Sequence, residues 1–194
     1  MQTRELGKTG ERLSVVGFGG LVVRDVTKAE ADDHVARAVE RGVNYFDVAP
    51  AYGNAEERLG PALEPYRDRV FLACKTGERT AAEAEAELHR SLERLRTDRF
   101  DLYQFHAVLS VDEAEQILAP GGAMEAFLAA RERGLIRHIG FSAHDEAAAV
   151  RLLEAFDFAS VLLPINLFCW RDGGFGPRTC AAATARGTAV LALK

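Results

Sequence analysis

The sequence predicts an α/β protein built as a parallel (β/α) barrel of the TIM type, with about seven of its eight β/α units and a short N-terminal β-hairpin. Three observations carry this. Apolar, β-branched runs recur along the chain, and each is followed by a segment with helix start and stop signals. The runs are apolar at consecutive rather than alternate positions, as in strands covered on both faces. No Gly-x-Gly-x-x-Gly follows the first of them, which favours a barrel over a doubly wound dinucleotide-binding sheet.

Taken in order, Arg4–Leu6 and Leu13–Val15 flank Gly7-Lys8-Thr9-Gly10 and read as a hairpin. The run continues to Val15-Val16-Gly17-Phe18-Gly19-Gly20, where glycines let the backbone approach a neighbour closely. Thr27 and Glu30 have capping-box spacing and open a helix that Gly42 stops. A second strand, Tyr45–Val48, precedes a helix start at Asn54 and Glu57. Arg69–Lys75 is the third strand, followed by a helix from Thr80 to about Leu95. Phe100–His106 is the fourth. The helix after it starts at Ser110, is broken at Pro120-Gly121-Gly122 and resumes to Arg133. Ile136–Phe141, Val161–Leu167 and Ala189–Leu193 are the fifth to seventh strands, with helices at Asp145–Phe156 and about Pro177–Arg186 between them. No linker interrupts the pattern, so residues 1–194 read as a single, incomplete barrel domain.

Composition excludes several classes. The net charge of −5 comes from interspersed signs with no basic block, which argues against nucleic acid. No apolar run reaches the ~20 residues of a membrane helix, and Met1–Gly10 lacks a signal-peptide core, so the expected location is the cytoplasm. The odd cysteine count, Cys74, Cys169 and Cys180, suggests reduced thiols rather than a disulfide framework. Cys74 lies in an apolar strand and reads as a small core residue.

Reactive groups of such a barrel sit at the C-terminal ends of its strands. Asp47, Lys75 and His106 fall at three successive ends, and Tyr52 lies on the loop after the second. Each alone has an ordinary explanation as a cap, a solvated loop residue or core packing. Together they form a workable acid: an ammonium beside a phenol favours the phenolate, and a carboxylate holds the ammonium in place. A neutral His106 could then hydrogen-bond a carbonyl and steer it to the phenol. His106, His138 and His144 lack companion ligands at metal spacing, so no metal is expected.

These residues lie in motifs that resemble the aldo-keto reductases: Gly17-Phe18-Gly19-Gly20, Asn44 to Glu56, Cys74-Lys75-Thr76, Tyr103-Gln104-Phe105-His106 and Ile139-Gly140-Phe141-Ser142. The resemblance implies reduction of an aldehyde or ketone by NADPH or NADH on a (β/α)8 barrel. It implies a catalytic set of Tyr52, Lys75, Asp47 and His106, and cofactor contacts from Gly19, Gly20, Asp47, Ser142 and Asn166. Three positions depart from it: Ala143, Leu162 and Leu193 stand where the family often has Asn, Gln and an aromatic that grip the nicotinamide.

A barrel of this type typically needs ~250 residues, so the sequence reads as a truncated member that lacks the eighth strand and leaves two sheet edges open. A second copy that completes the barrel is the expected partner besides a small carbonyl substrate. The alternative readings are a catalytically inactive remnant or binding module that keeps the fold, and, ranked below both, a lyase using Lys75 as a Schiff-base amine. The Cys169–Asp172 stretch is expected to be a loop.

Overall fold

The computed structural model describes residues 1–173 and 175–193. A hairpin of β1 (Thr3–Glu5) and β2 (Arg12–Ser14) comes first, paired antiparallel from Thr3 opposite Ser14. Seven parallel strands then make one curled sheet whose spatial order is the chain order: β3 (Phe18–Gly19), β4 (Tyr45–Asp47), β5 (Phe71–Thr76), β6 (Phe100–Val108), β7 (Ile136–Ala143), β8 (Ser160–Pro164) and β9 (Ala189–Leu193). Between them run α1 (Lys28–Glu40), α2 (Ala55–Leu63), α3 (Ala81–Arg94), α4 (Val111–Leu118), α5 (Ala123–Glu132), α6 (Glu146–Ala155), α7 (Leu167–Arg171) and α8 (Pro177–Arg186). Among the described residues β3 and β9 form the two outer edges of this sheet.

The local signals act as their chemistry dictates. Thr27 and Glu30 close a full capping box on α1: Thr27 Oγ1 accepts from Glu30 N, and the Glu30 carboxylate accepts from Thr27 N. Ser110 and Asp145 cap α4 and α6 the same way, accepting from Glu113 N and Ala148 N. Pro120-Gly121-Gly122 separates α4 from α5.

Asn54 starts α2 as expected: it stands at the N-cap, and its Oδ1 accepts from Asp25 N at 2.9 Å and so ties the turn after β3 to α2. Two expectations are corrected. The sixth parallel strand ends at Pro164 rather than Leu167, because Asn166 Oδ1 accepts from Cys169 N at 2.9 Å and starts α7. The expected loop at Cys169–Asp172 is therefore largely the short helix α7 and its C-cap.

Side chains alternate across the sheet. Phe46, Leu72, Cys74, Tyr103, Phe105, Phe141 and Leu163 face the helices and join one core cluster with Val35, Leu59, Leu88 and Phe127. Phe105 stacks on Phe127 with ring centroids 4.1 Å apart. The opposite positions, Tyr45, Phe71, Ala73 and Leu102, face the inside of the curl and pack with Leu6 and Leu13 of the hairpin. The hairpin thus plugs the N-terminal end of the strands and leaves the C-terminal end free for chemistry. At the plugged end, buried Asp101 accepts from Arg67 Nη1 at 3.0 Å, from Arg137 Nη1 at 3.1 Å and from Leu72 N at 2.9 Å.

Candidate active site

The same alternation that buries Tyr45, Phe71 and Leu102 places Asp47, Lys75 and Gln104 further on, inside the curl near its open end. Lys75 is fully buried, and its Nζ forms an ion pair with Asp47 Oδ1. The other Asp47 oxygen, Oδ2, accepts from Tyr45 Oη and from Gln104 Nε2, each at 2.9 Å. The carboxylate is held from three strands at once. Lys75 Nζ also donates to Tyr52 Oη at 3.4 Å. The ring of His106 meets the Tyr52 ring edge-on, with centroids 5.6 Å apart. The four residues singled out in the sequence therefore share one small volume.

The electrostatics follow from burial and neighbours. Burial alone pushes Lys75 down, but the Asp47 carboxylate and Tyr52 outweigh it and hold the ammonium above its ordinary value. Burial pushes His106 down to about 4, Lys75 adds to that, and Asp47 opposes it. The imidazole is neutral at pH 7. Burial, and then the Asp47 charge, push the Tyr45 phenol well up, so it remains a hydrogen-bond donor.

The other sequence-derived positions are placed as follows. Gly19 ends β3 in register with Asp47, is exposed, and has open space where a Cβ would stand. Gly20 is buried, and a Cβ there would lie 2.8 Å from Val48 Cγ2 and 3.1 Å from the Asp47 carbonyl. Ser142, near the end of β7, is buried and its Oγ accepts from Ala107 N at 2.7 Å. Its hydroxyl proton is left to donate. Asn166 uses its Oδ1 in the cap of α7. Among the described residues no group of three or more His, Cys, Asp or Glu is arranged to hold a metal ion.

Sequence reasoning missed Tyr45 and Gln104. A signal existed for both: Tyr45 is two residues before Asp47 on one strand, and Gln104 is two before His106 on another. That Gln104 lies opposite Lys75 needed the register.

The sequence model of the aldo/keto reductase family matches residues 15–173, most of the chain. The chain belongs to the aldo/keto reductase family. It is 29% identical over 182 residues to YqkF of Bacillus subtilis, an uncharacterized oxidoreductase, covering 87% of this chain and 57% of that protein. An aldo-keto reductase of Mycolicibacterium smegmatis is 34% identical over 148 residues, covering 72% of this chain and 49% of the relative. In structure the chain is similar to the holo form of aldo-keto reductase AKR11C1 from Bacillus halodurans, with a TM-score of 0.84 and 26% identity over 99% of this chain and 65% of that one. The chain thus spans about half the length of the curated relatives it matches, and the likeness to the solved reductase supports the curled parallel sheet as part of a (β/α)8 barrel.

Proposed function

We propose that this chain carries the reducing centre of an enzyme that converts an aldehyde or ketone to an alcohol with NADPH or NADH. The observation that supports it best is a buried ammonium, Lys75, clamped by Asp47 and 3.4 Å from the Tyr52 hydroxyl. A nicotinamide fits the open end of the sheet on the chain's own terms. Gly19 leaves its backbone bare beside Asp47, where a flat ring can approach. Ser142 keeps a hydroxyl proton for an amide oxygen. Gly19, Gly20, Asp47 and Ser142 are the proposed cofactor contacts. Asn166 is kept as a further contact through its amide nitrogen, since its oxygen serves the α7 cap. When bound, the cofactor supplies hydride to the carbonyl carbon.

Tyr52 then gives its proton to the carbonyl oxygen. The charge that develops on its own oxygen is stabilised by Lys75, whose position Asp47, Tyr45 and Gln104 fix in advance. A preorganised charge needs no rearrangement at the moment of transfer, which is where its advantage over water lies. Neutral His106 donates a hydrogen bond to the carbonyl and directs it to Tyr52. An imidazolium there would add a second cation beside Lys75, which burial opposes.

A second copy of the chain adding strands at the open edges β3 and β9 is the proposed partner arrangement. The test is a titration of the purified chain with NADPH and NADH, read by Trp170 fluorescence and by light scattering, followed by an aldehyde panel. The Tyr52→Phe variant should lose turnover by about a hundredfold or more with its unfolding transition unchanged. Equal turnover in that variant would remove Tyr52 from the role. No cofactor binding and no turnover by the folded chain would favour the inactive binding-module reading instead.

A further inference from the structure

We propose that Arg79 is a positioning residue that locks the turn after His106, and with it the direction in which His106 faces Tyr52. The inference rests on the roles given above to His106 and Tyr52. It starts from an irregularity in β6. The register of β6 against β7 shifts between Phe105 and Val108, and within the shift Ala107 adopts φ +52°. A left-handed backbone is strained for a residue with a side chain, so neighbouring contacts must hold it. The turn has a visible consequence: Val108 returns to the helix-facing core, while His106 stays on the inner side against Tyr52.

The contacts that hold the turn converge on Arg79. Its Nη2 donates to the His106 carbonyl at 2.7 Å and to the Ala107 carbonyl at 3.4 Å. Its Nε and Nη2 both donate to Glu113 Oε2 on α4, at 3.2 and 2.9 Å. The Arg79 carbonyl accepts from Ala123 N at the start of α5 at 2.8 Å, so the backbone is pinned as well. The side chain is only 13% exposed. Nη2 meets both carbonyls and, together with Nε, the carboxylate, in one rigid plane that an ammonium on a flexible stem does not hold. From the other side Ser142 Oγ receives the Ala107 N–H. Arg79 thereby couples the loop after Lys75 to the strand end that carries His106. The charged and titratable groups around His106 are Asp47 from β4, Tyr52 from the loop after it, Lys75 from β5, Arg79, and His144 after β7; Arg79 adds to the lowering of His106 behind burial and Lys75.

The test compares the wild type with Arg79→Met and Arg79→Lys by three readouts: amide exchange at Ala107, the NMR titration of His106, and kcat against KM for NADPH. In Arg79→Met, Ala107 exchange should accelerate and the His106 midpoint should rise from about 4. Its kcat should fall on the order of tenfold to a hundredfold, the scale of a sub-ångström to one-ångström misplacement, while KM for NADPH stays unchanged. Arg79→Lys keeps the charge but not the fork, and should be intermediate in exchange and kcat; it also serves if the Met variant fails to fold. Unchanged Ala107 exchange in either folded variant overturns the proposal, as does a fall in kcat with His106 titrating as in the wild type. A wild type that reduces no carbonyl would defeat the proposed reaction, yet exchange and titration would still decide the clamp.

Discussion

Replacing Asp47 by Asn tests the centre of the site, because it removes one charge and almost no volume. In the wild type the Lys75 ammonium is fully buried and Asp47 is its ion-pair partner. The amide introduced at this position would offer one acceptor oxygen to three donors, Lys75 Nζ, Tyr45 Oη and Gln104 Nε2, and would turn two N–H groups toward the others. Breaking a buried pair from one side costs about 3–5 kcal/mol. For a chain of this size that lowers the thermal midpoint by roughly 6–20 °C. The Asp47→Asn, Lys75→Met double variant should recover much of the loss, since no uncompensated charge stays buried. Alkaline pH gives an independent check. Lys75 is raised in the folded state, so its stabilisation is complete below its unfolded value and is lost as pH rises through the folded one, above about pH 10.4. That alkaline loss should be missing in Asp47→Asn. Denaturant and thermal unfolding of the four proteins of the cycle measure all of this. A single variant within about 1 kcal/mol of wild type, or a double variant as weak as the two singles added together, would refute the idea that the pair is a coupled, buried charge site.

Two further outcomes follow from the same geometry. His106 is depressed to about 4 in the folded protein, so the unfolded chain binds the extra proton first as pH falls. Stability should therefore drop between about pH 6.5 and pH 4, and His106→Gln should flatten it; an unchanged slope would mean that His106 titrates as if in water. Glu146 Oε1 accepts from Gly176 N, Arg178 N and Thr179 N at 3.0, 2.8 and 3.1 Å and so closes the start of α8. Glu146→Ala should cost about 3 kcal/mol by leaving buried donors unpaired, Glu146→Gln distinctly less, with amide exchange at Arg178 and Thr179 as the local readout.

Much of this is legible in the chain. The capping residues Thr27, Ser110 and Asp145 act within one helical turn, so spacing alone gives their partners. The strand ends that carry Asp47, Lys75 and His106 are marked by where apolar runs stop. Asn54 marks the start of α2 as its spacing predicts, but its side chain is claimed by Asp25 N, 29 residues away, and no local pattern reports a contact at that distance. The end of β8 misleads because Pro164-Ile165-Asn166-Leu167 is apolar enough for a strand, while the Asn166 cap decides for a helix.

The sequence by itself determined the alternation of strands and helices and which reactive residue types stand at strand ends. These depend on periodicity and on short-range hydrogen bonds, which a chain carries in its own order. Only the tertiary structure decided that Tyr45 and Gln104 hold the Asp47 oxygen that Lys75 does not take, that Ala107 turns left-handed after His106, and that Arg79 holds that turn. Each of these is a meeting of groups from different strands or loops. Their distances are set by register and by the curl of the sheet, and those come from burying two apolar faces at once rather than from any single segment.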